Sequence, residues 1–377
     1  MTKEKKAFKF RIYPNQVQKD MIDKTCGCSR FVFNYFLDSW NKEYKETQKG
    51  LTYAKCATEL TKLKKEEKYA FLKEVDSIAL QSSLKNLEMA FRRFFKQQNR
   101  KPRFKSRKNF VQSYTTKMVN NNIEILDNKI KLPKLGNVKL KKSREVVGRI
   151  MNATISKTST GKYFVSILCE IEMYELPKTN QKIGLDLGIN HFVITSNGEK
   201  INNPKYLENN LKKLKKLSKQ LSIKREVAIK AKIDLANAKN YQKQKKKLAT
   251  LHEKIRNQRI DFLHKLSTKL ILENDTICIE DLNIKGMMKN HRLAKAIASV
   301  SWSEFVTMLE YKAEFYGRKI VKVDRFYPSS QICSNCGKNT GKKPLNVREF
   351  TCEYCGCIHD RDINASKNIL NKGLEIS

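Results

Sequence analysis

No apolar run in the 377 residues approaches the length of about 20 that a membrane-spanning helix needs. The opening residues, MTKEKKAFKF, also lack the apolar stretch of a secretory signal. Together these absences set aside membrane and secretory proteins and lead to a cytoplasmic expectation. Histidine is scarce, with five isolated residues, and no nucleophile elbow is visible. Histidine-based and serine-based covalent mechanisms therefore have little support. Acidic residues are few beside basic ones: 38 Asp and Glu against 77 Lys and Arg leave a net charge of +39. Such a surface repels itself unless a polyanion covers it. The charge runs along the whole chain, which suits a long or folded polynucleotide held over many phosphates. Charge names the partner and not what happens to it, so a plain RNA-binding protein fits equally well at this level.

Ten cysteines are present, and four form two CxxC pairs. Without a secretion signal, this usage favours metal binding over disulfides. Cys333-Ser-Asn-Cys336-Gly and Cys352-Glu-Tyr-Cys355-Gly are separated by fifteen residues. Each turn aims two thiolates at one point, and the following glycine relieves the tight knuckle. Four thiolates make a closed tetrahedral site that prefers Zn²⁺ in a structural role. Cys357 and His359 lie close enough in sequence to compete, and are expected to be bystanders.

Periodicity divides the rest. Residues 6–13 alternate apolar and basic, as a strand with one positive face does. From Gln16 to about Lys96 the pattern is helical, with Leu80, Leu84, Leu87, Phe91 and Phe94 on one face. A basic loop (97–108) leads to short strand-like runs up to about residue 172. These supply partners for the first strand, predicting a small β-domain interrupted by a helical insertion. Residues 182–196 read as a β-hairpin. Residues 205–270 are long, helical and basic, with Leu207, Leu211, Leu214, Leu217 and Leu221 close to a coiled-coil seam. They form either a solvated hairpin or a basic arm that grips a duplex. A strand at 275–282, a helix around 300–316 ended by Gly317, a strand at 318–326 and a last helix from about Ile363 complete the pattern.

Three acidic positions sit where a metal nuclease wants them. Asp186 and Glu280 lie on apolar strands, and Asp360 and Asp362 begin the last helix. A charge on a buried strand is costly without a counter-ion. Convergent carboxylates can share Mg²⁺, and in a two-metal scheme the ions activate water and stabilise the leaving oxygen of a phosphodiester. Taken singly, each acid has a plainer reading: the strand Asp-x-Gly also opens the phosphate loop of actin-like ATPases, and Glu280 or either late Asp could be a cap. Only 14 glycines are available for the further loops such an ATPase needs. The order of strand Asp, helical insert, strand Glu, cysteine module and helix-start Asp favours the nuclease.

Block after block, the chain resembles the TnpB family of insertion-sequence-encoded RNA-guided nucleases, related to type V CRISPR effectors. The blocks include KAFKFRIYPN, LQSSLKNLEMAFRRFF, GLDLGIN, IEDLNIKGM, YPSSQICSNCG and CIHDRDINASKNIL. The resemblance implies an α/β multidomain protein. Its RNase H-like (RuvC-type) nuclease would span 180–328 and 358–377, with a basic helical hairpin at 203–270 and a zinc ribbon at 329–357. A β-barrel-like wedge domain would span 1–18 and 106–179, interrupted by a helical recognition domain at 19–105. Asp186, Glu280 and Asp362 carry over as catalytic, Mg²⁺-binding acids. Asp362 is preferred to Asp360 because the family's acid stands two before the asparagine, here Asn364. Tyr53 and Gln81 fall near positions that read the target-adjacent motif in DNA. The implied activity is cutting of double-stranded DNA directed by a guide RNA from the transposon end, with the protein monomeric in the ribonucleoprotein and no membrane partner. The alternatives are a catalytically silent RNA-guided regulator and a guide-independent RuvC-like nuclease or transposase.

Overall fold

Alternating apolar and basic residues make Lys3–Tyr13 (β1) a strand with two unlike faces. In the computed structural model, Phe8, Phe10 and Ile12 are buried on one face. On the other, Lys9 and Arg11 lie over the Phe164 ring at 4.9 and 5.4 Å. Residues 1 and 2, which open the predicted wedge segment, lie outside the described residues, as do 110, 174, 292 and 345 and the side chain of Lys285. The chain divides into two units, Thr2–Glu172 and Met173–Ser377. Among the described residues no helix is long and apolar enough to cross a membrane.

In the first unit, helix α1 (Gln16–Thr47) begins at a capping box between Asn15 and Gln18. Helices α2 (Tyr53–Leu63) and α3 (Ser77–Phe95) follow, separated by a 3₁₀ segment, Glu67–Lys73. Leu80, Leu84, Leu87 and Phe91 of α3 are buried against Phe33, Phe36, Leu37 and Trp40 of α1. Phe94, expected on that face, is only half-buried. Strands β2 (Val111–Lys117), β3 (Glu124–Leu126), β4 (Lys129–Leu132), β5 (Gly136–Lys141), β6 (Arg149–Thr158) and β7 (Tyr163–Glu172) come next. With β1 they form a seven-stranded sheet of order β2-β6-β7-β1-β5-β4-β3, antiparallel throughout. So β1 finds its partners in β7 and β5, across the helical insertion. Strand β2 is not among the runs expected from periodicity, because VQSYTTK carries few apolar residues.

In the second unit, β8 (Lys182–Asp186), β9 (His191–Thr195) and β10 (Lys200–Asn202) form an antiparallel meander. The short α4 (Tyr206–Asn209) leads into α5 (Leu211–Lys230) and the long α6 (Lys239–Glu273), which pair as a helical hairpin. Its apolar seam is thin: Leu214, Leu251 and Ile255 are buried, while Leu207, Leu217 and Leu248 are half-buried around them. Strand β11 (Thr276–Glu280) then runs parallel to β8. After the short α7 (Ile284–Met287) and α8 (Ala294–Val300), helix α9 (Trp302–Tyr316) ends at Gly317, whose φ is +64°. Strand β12 (Lys319–Val323) runs parallel to β11. The ribbon β13 (Glu349–Thr351) with β14 (Ile358–Asp360), and helix α10 (Arg361–Ile376), close the chain. The five-stranded sheet has the order β10-β9-β8-β11-β12.

Strand parity assigns the two faces of this sheet. Ile183 and Leu185 of β8 and Ile277 and Ile279 of β11 pack against Leu263, Leu266 and Leu270 of α6 and Trp302, Phe305 and Leu309 of α9. Lys312 of α9 is buried there, its Nζ donating to His264 O, Ser267 Oγ and Thr268 Oγ1 at 2.9, 2.7 and 2.7 Å. The intervening residues face α10, where Ile369 packs with Cys278, Val321 and Val323. Two glycines allow that close approach. A Cβ on Gly184 would stand 2.1 Å from Ser366 O, and one on Gly373 would stand 2.3 Å from Cys278 Sγ. Helix α10 therefore lies almost on the strands, with its first turn toward their C-terminal ends.

Candidate active site

Asp186 is the last residue of β8 and Glu280 the last of β11. Leu185 lies opposite Ile279 in the parallel register, so the next residues, Asp186 and Glu280, end adjacent strands side by side. By parity both face α10, whose first turn carries Asp362. Carboxyl ends of parallel strands are the usual edge at which α/β sheets bind ligands. Asp186 is pushed from an ordinary 3.8 to about 7, first by burial, then by the charges of Glu280 and Asp362; Arg361 and the Leu187 amide oppose this. Burial also raises Glu280, against the hydrogen bond it accepts from Ser329 Oγ at 2.6 Å. A rise of about 3 units in Asp186 corresponds to about 4 kcal/mol spent on ionising it. Three half-buried carboxylates that repel one another are a donor set suited to a hard cation such as Mg²⁺.

The two late aspartates divide their roles. Asp360 caps α10, accepting from the Asp362 and Ile363 amides at 3.0 Å each and pairing with Lys200 at 2.5 Å. Burial pushes its carboxyl up, but Lys200 and those amides outweigh burial and hold it below its ordinary value. Among the described residues Asp362 has one ionic partner, Arg348, at 3.3 Å, and its charge reaches Asp186. Asp360 is thus the N-cap that the sequence allowed for, and Asp362 is the one that adds charge to the cluster.

The cysteine module is built from two matching knuckles. Gly337 N donates to Cys333 O and Gly356 N to Cys352 O, both at 2.9 Å, with φ of +72° and +71° at the glycines. The Cys333 amide donates to Lys338 O and the Cys352 amide to Cys357 O, at 2.9 and 2.8 Å. The four sulfurs of Cys333, Cys336, Cys352 and Cys355 all lie within 4.8 Å of one another. Cys333–Cys355 and Cys336–Cys352 are each 3.7 Å apart. A tetrahedron with Zn–S bonds of about 2.3 Å has edges of about 3.8 Å, so the quartet fits Zn²⁺. The Cys357 amide, then Asn335, hold the Cys355 thiol below its ordinary value. Among the described residues this is the only such group of three or more candidate ligands; the acids stand further apart. Cys357 takes part through its backbone. His359 lies outside the quartet, yet its Nε2 is 3.0 Å from Cys333 Sγ, so it touches a ligand.

Tyr53 opens α2, half-buried, with Lys85 Nζ 5.0 Å from its ring centroid. Gln81 is exposed on α3, one turn before Lys85. Tyr53 lines a groove of about 390 Å³ with Trp40, Leu84, Phe91, Arg92 and Phe95. Sequence reasoning gave no role to Ser329, Asn364 or Asn368, although all three stood inside the quoted blocks. Nothing in their residue type signals a partner distant in sequence.

A mixed α/β unit with carboxylates at adjacent strand ends, a tetrathiolate module beside them and a large positive charge defines a class of metal-binding, polyanion-handling proteins. Three family models match: "Helix-turn-helix domain" over 1–49, "Probable transposase" over 166–291, and "Cas12f1-like, TNB domain" over 302–369. The described part of the first is one strand and one long helix, β1 and α1, so that description does not fit the geometry. A "Putative RNA-guided DNA endonuclease" of Streptomyces pristinaespiralis is 40% identical over 100% of this chain and 91% of its own. The "Putative RNA-guided DNA endonuclease InsQ" of Escherichia coli (strain K12) is 32% identical over 98% of this chain and 93% of its own. A solved chain from a Cas12f1–sgRNA–target DNA complex aligns over 98% of this chain and 99% of its own, with TM-score 0.55 and 13% identity, a likeness of fold. The chain belongs to the TnpB family.

Proposed function

We propose that the protein is an RNA-guided endonuclease that cuts double-stranded DNA at an acidic cluster of Asp186, Glu280 and Asp362. The observation that carries this reading is the convergence of three carboxylates at the ends of β8 and β11 and the start of α10, with Asp186 pushed to about 7. The names of the full-length relatives support the choice of RNA guide and DNA substrate. The mixed five-stranded sheet supports an RNase H-like (RuvC-type) core, and the knuckle geometry supports a zinc ribbon.

Asp186, Glu280 and Asp362 would hold Mg²⁺. Bound Mg²⁺ supplies an activated water and stabilises the leaving oxygen, in a two-metal scheme when two ions bind. The chain's own residues do the rest. Asp186 would hold the cation in its ionised form, Ser329 orients Glu280, and Arg348 lies against Asp362. The net charge of +39 holds guide RNA and DNA through their phosphates. Tyr53, in the lining of the aromatic groove, and the exposed Gln81 are assigned to the target-adjacent motif, with sequence choice otherwise left to base pairing. We assign residues 1–18 and 106–179 to a wedge function, 19–105 to recognition, and 180–328 and 358–377, with the ribbon at 329–357, to cutting.

The test is purification with the native flanking DNA in the expression host, sequencing of retained RNA, then a cleavage assay. One defined RNA with a variable end, and Mg²⁺-dependent cutting of a matching duplex, are expected. The Asp186→Ala variant should bind RNA and target but not cut. Binding without cutting in the parent protein would indicate the silent regulator. Cutting without RNA would indicate the guide-independent nuclease or transposase.

A further inference from the structure

Helix α10 buries two asparagines. Asn364 is 1% exposed and Asn368 3%. Asn364 donates to Ile332 O at 2.7 Å and accepts from the Ser334 amide at 2.8 Å, as a neighbouring strand would. One turn on, Asn368 donates to Ser329 O at 2.8 Å and Ile332 O at 2.6 Å. The strip 329–334 is thereby fixed to the helix, and it contains the ligand Cys333. Buried amides paired in this way set register, because any slip leaves both partners unsatisfied.

The same strip reaches the acids. Ser329 is 7% exposed, and its hydroxyl donates to Glu280 Oε1 at 2.6 Å. At the module's other end, Arg348 pairs with Asp362 at 3.3 Å, and its carbonyl accepts from the Arg361 amide at 2.7 Å. Strand β13 continues from there and pairs with β14, Glu349 opposite Asp360. The module therefore touches Glu280 where it begins and Asp362 where it returns.

We infer that the cysteine module is the positioning device of the acidic cluster: Ser329 aims Glu280, and Asn364 and Asn368 fix the helix that presents Asp362. This rests on the reading of the three acids as a cation site. Ser329 touches Glu280 directly, and Asn364 acts through the helix that carries Asp362, so both are positioning residues. Removing such a partner typically lowers metal affinity or activity about 10–100-fold.

The experiment measures three quantities on the guide-loaded protein: zinc per chain by elemental mass spectrometry, Mn²⁺ affinity by electron paramagnetic resonance, and the Mg²⁺ concentration for half-maximal cutting. Ser329→Ala should keep its zinc and its RNA, bind Mn²⁺ at least about tenfold more weakly, and need correspondingly more Mg²⁺. Ser329→Thr, which retains the hydroxyl, should recover most of both. Asn364→Leu should lose Mn²⁺ affinity with zinc retained. If Ser329→Ala matches the parent in Mn²⁺ affinity and Mg²⁺ requirement while Asp186→Ala loses Mn²⁺, the positioning role is wrong and the acidic site stands. If Asp186→Ala binds Mn²⁺ like the parent, the acidic site itself is misassigned and the inference falls with it.

Discussion

Replacing Asp186 by asparagine should stabilise the second unit in the absence of Mg²⁺, while abolishing cutting. Asp186 titrates near 7 in the folded chain, against an ordinary 3.8. The difference of about 3 units, at about 1.4 kcal/mol each, is about 4 kcal/mol. The sign follows from proton counts. Between pH 4 and 7 the folded chain holds a proton on Asp186 that the unfolded chain has released, so the parent loses stability as pH rises. Asparagine carries no such charge. The gain from Asp186→Asn should be below about 1 kcal/mol at pH 4, grow through pH 5 and 6, and level near about 4 kcal/mol above pH 7. Guanidinium unfolding at several pH values measures it. The two tryptophans lie one in each unit, so a Trp40→Phe background leaves Trp302 to report on the second. Mg²⁺ at about 100 times its Kd should shrink the gap by about 2.7 kcal/mol, because a ligand held only by the folded, ionised site stabilises it by RT ln(1 + [L]/Kd). A gain equal at pH 5 and pH 8, or one that Mg²⁺ leaves unchanged, would refute a charge-based account of this carboxylate.

Cys333→Ser removes one of four thiolates, and should lower zinc below one per chain and reduce folded yield; normal zinc stoichiometry would sink the four-thiolate site. Gly184→Ala would press a methyl group to 2.1 Å from the Ser366 carbonyl, so denaturant unfolding should show a loss of about 1–3 kcal/mol or more. A stability within experimental error of the parent would mean that α10 does not lie so close to β8. Changing Lys245, Lys246 and Lys247 together to Gln should flatten the dependence of log affinity on log salt, by about 0.7–0.9 for each phosphate that is no longer neutralised. An unchanged slope would leave the helical hairpin as a solvated element with no grip on nucleic acid.

Much of the outline is legible without coordinates. Alternation along β1, the 3.6-residue apolar face of α3 and the CxxC-Gly knuckles are local patterns, and local backbone and side-chain preferences suffice to read them. Asp186 and Glu280 announced themselves because a charge ending an apolar strand needs a reason. Strand β2 escaped notice because seven mostly polar residues carry no period; its neighbour β6 makes it a strand. The choice between Asp360 and Asp362 illustrates the limit. In sequence they are two acids two residues apart at a helix start, and a family pattern separated them. In the folded chain, Asp360 is occupied by its cap bonds and by Lys200, 160 residues away, and the approach of α10 to β8 through Gly184 brings the charge of Asp362 to bear on Asp186. Ser329, Asn364 and Asn368 were silent for the same reason. Residue types and local periods determined most of the elements, the paired cysteines and the candidate acids. Which of those acids act on one another, and what holds them, was decided by tertiary structure, because Coulomb forces and hydrogen bonds depend on distance in space and not along the chain.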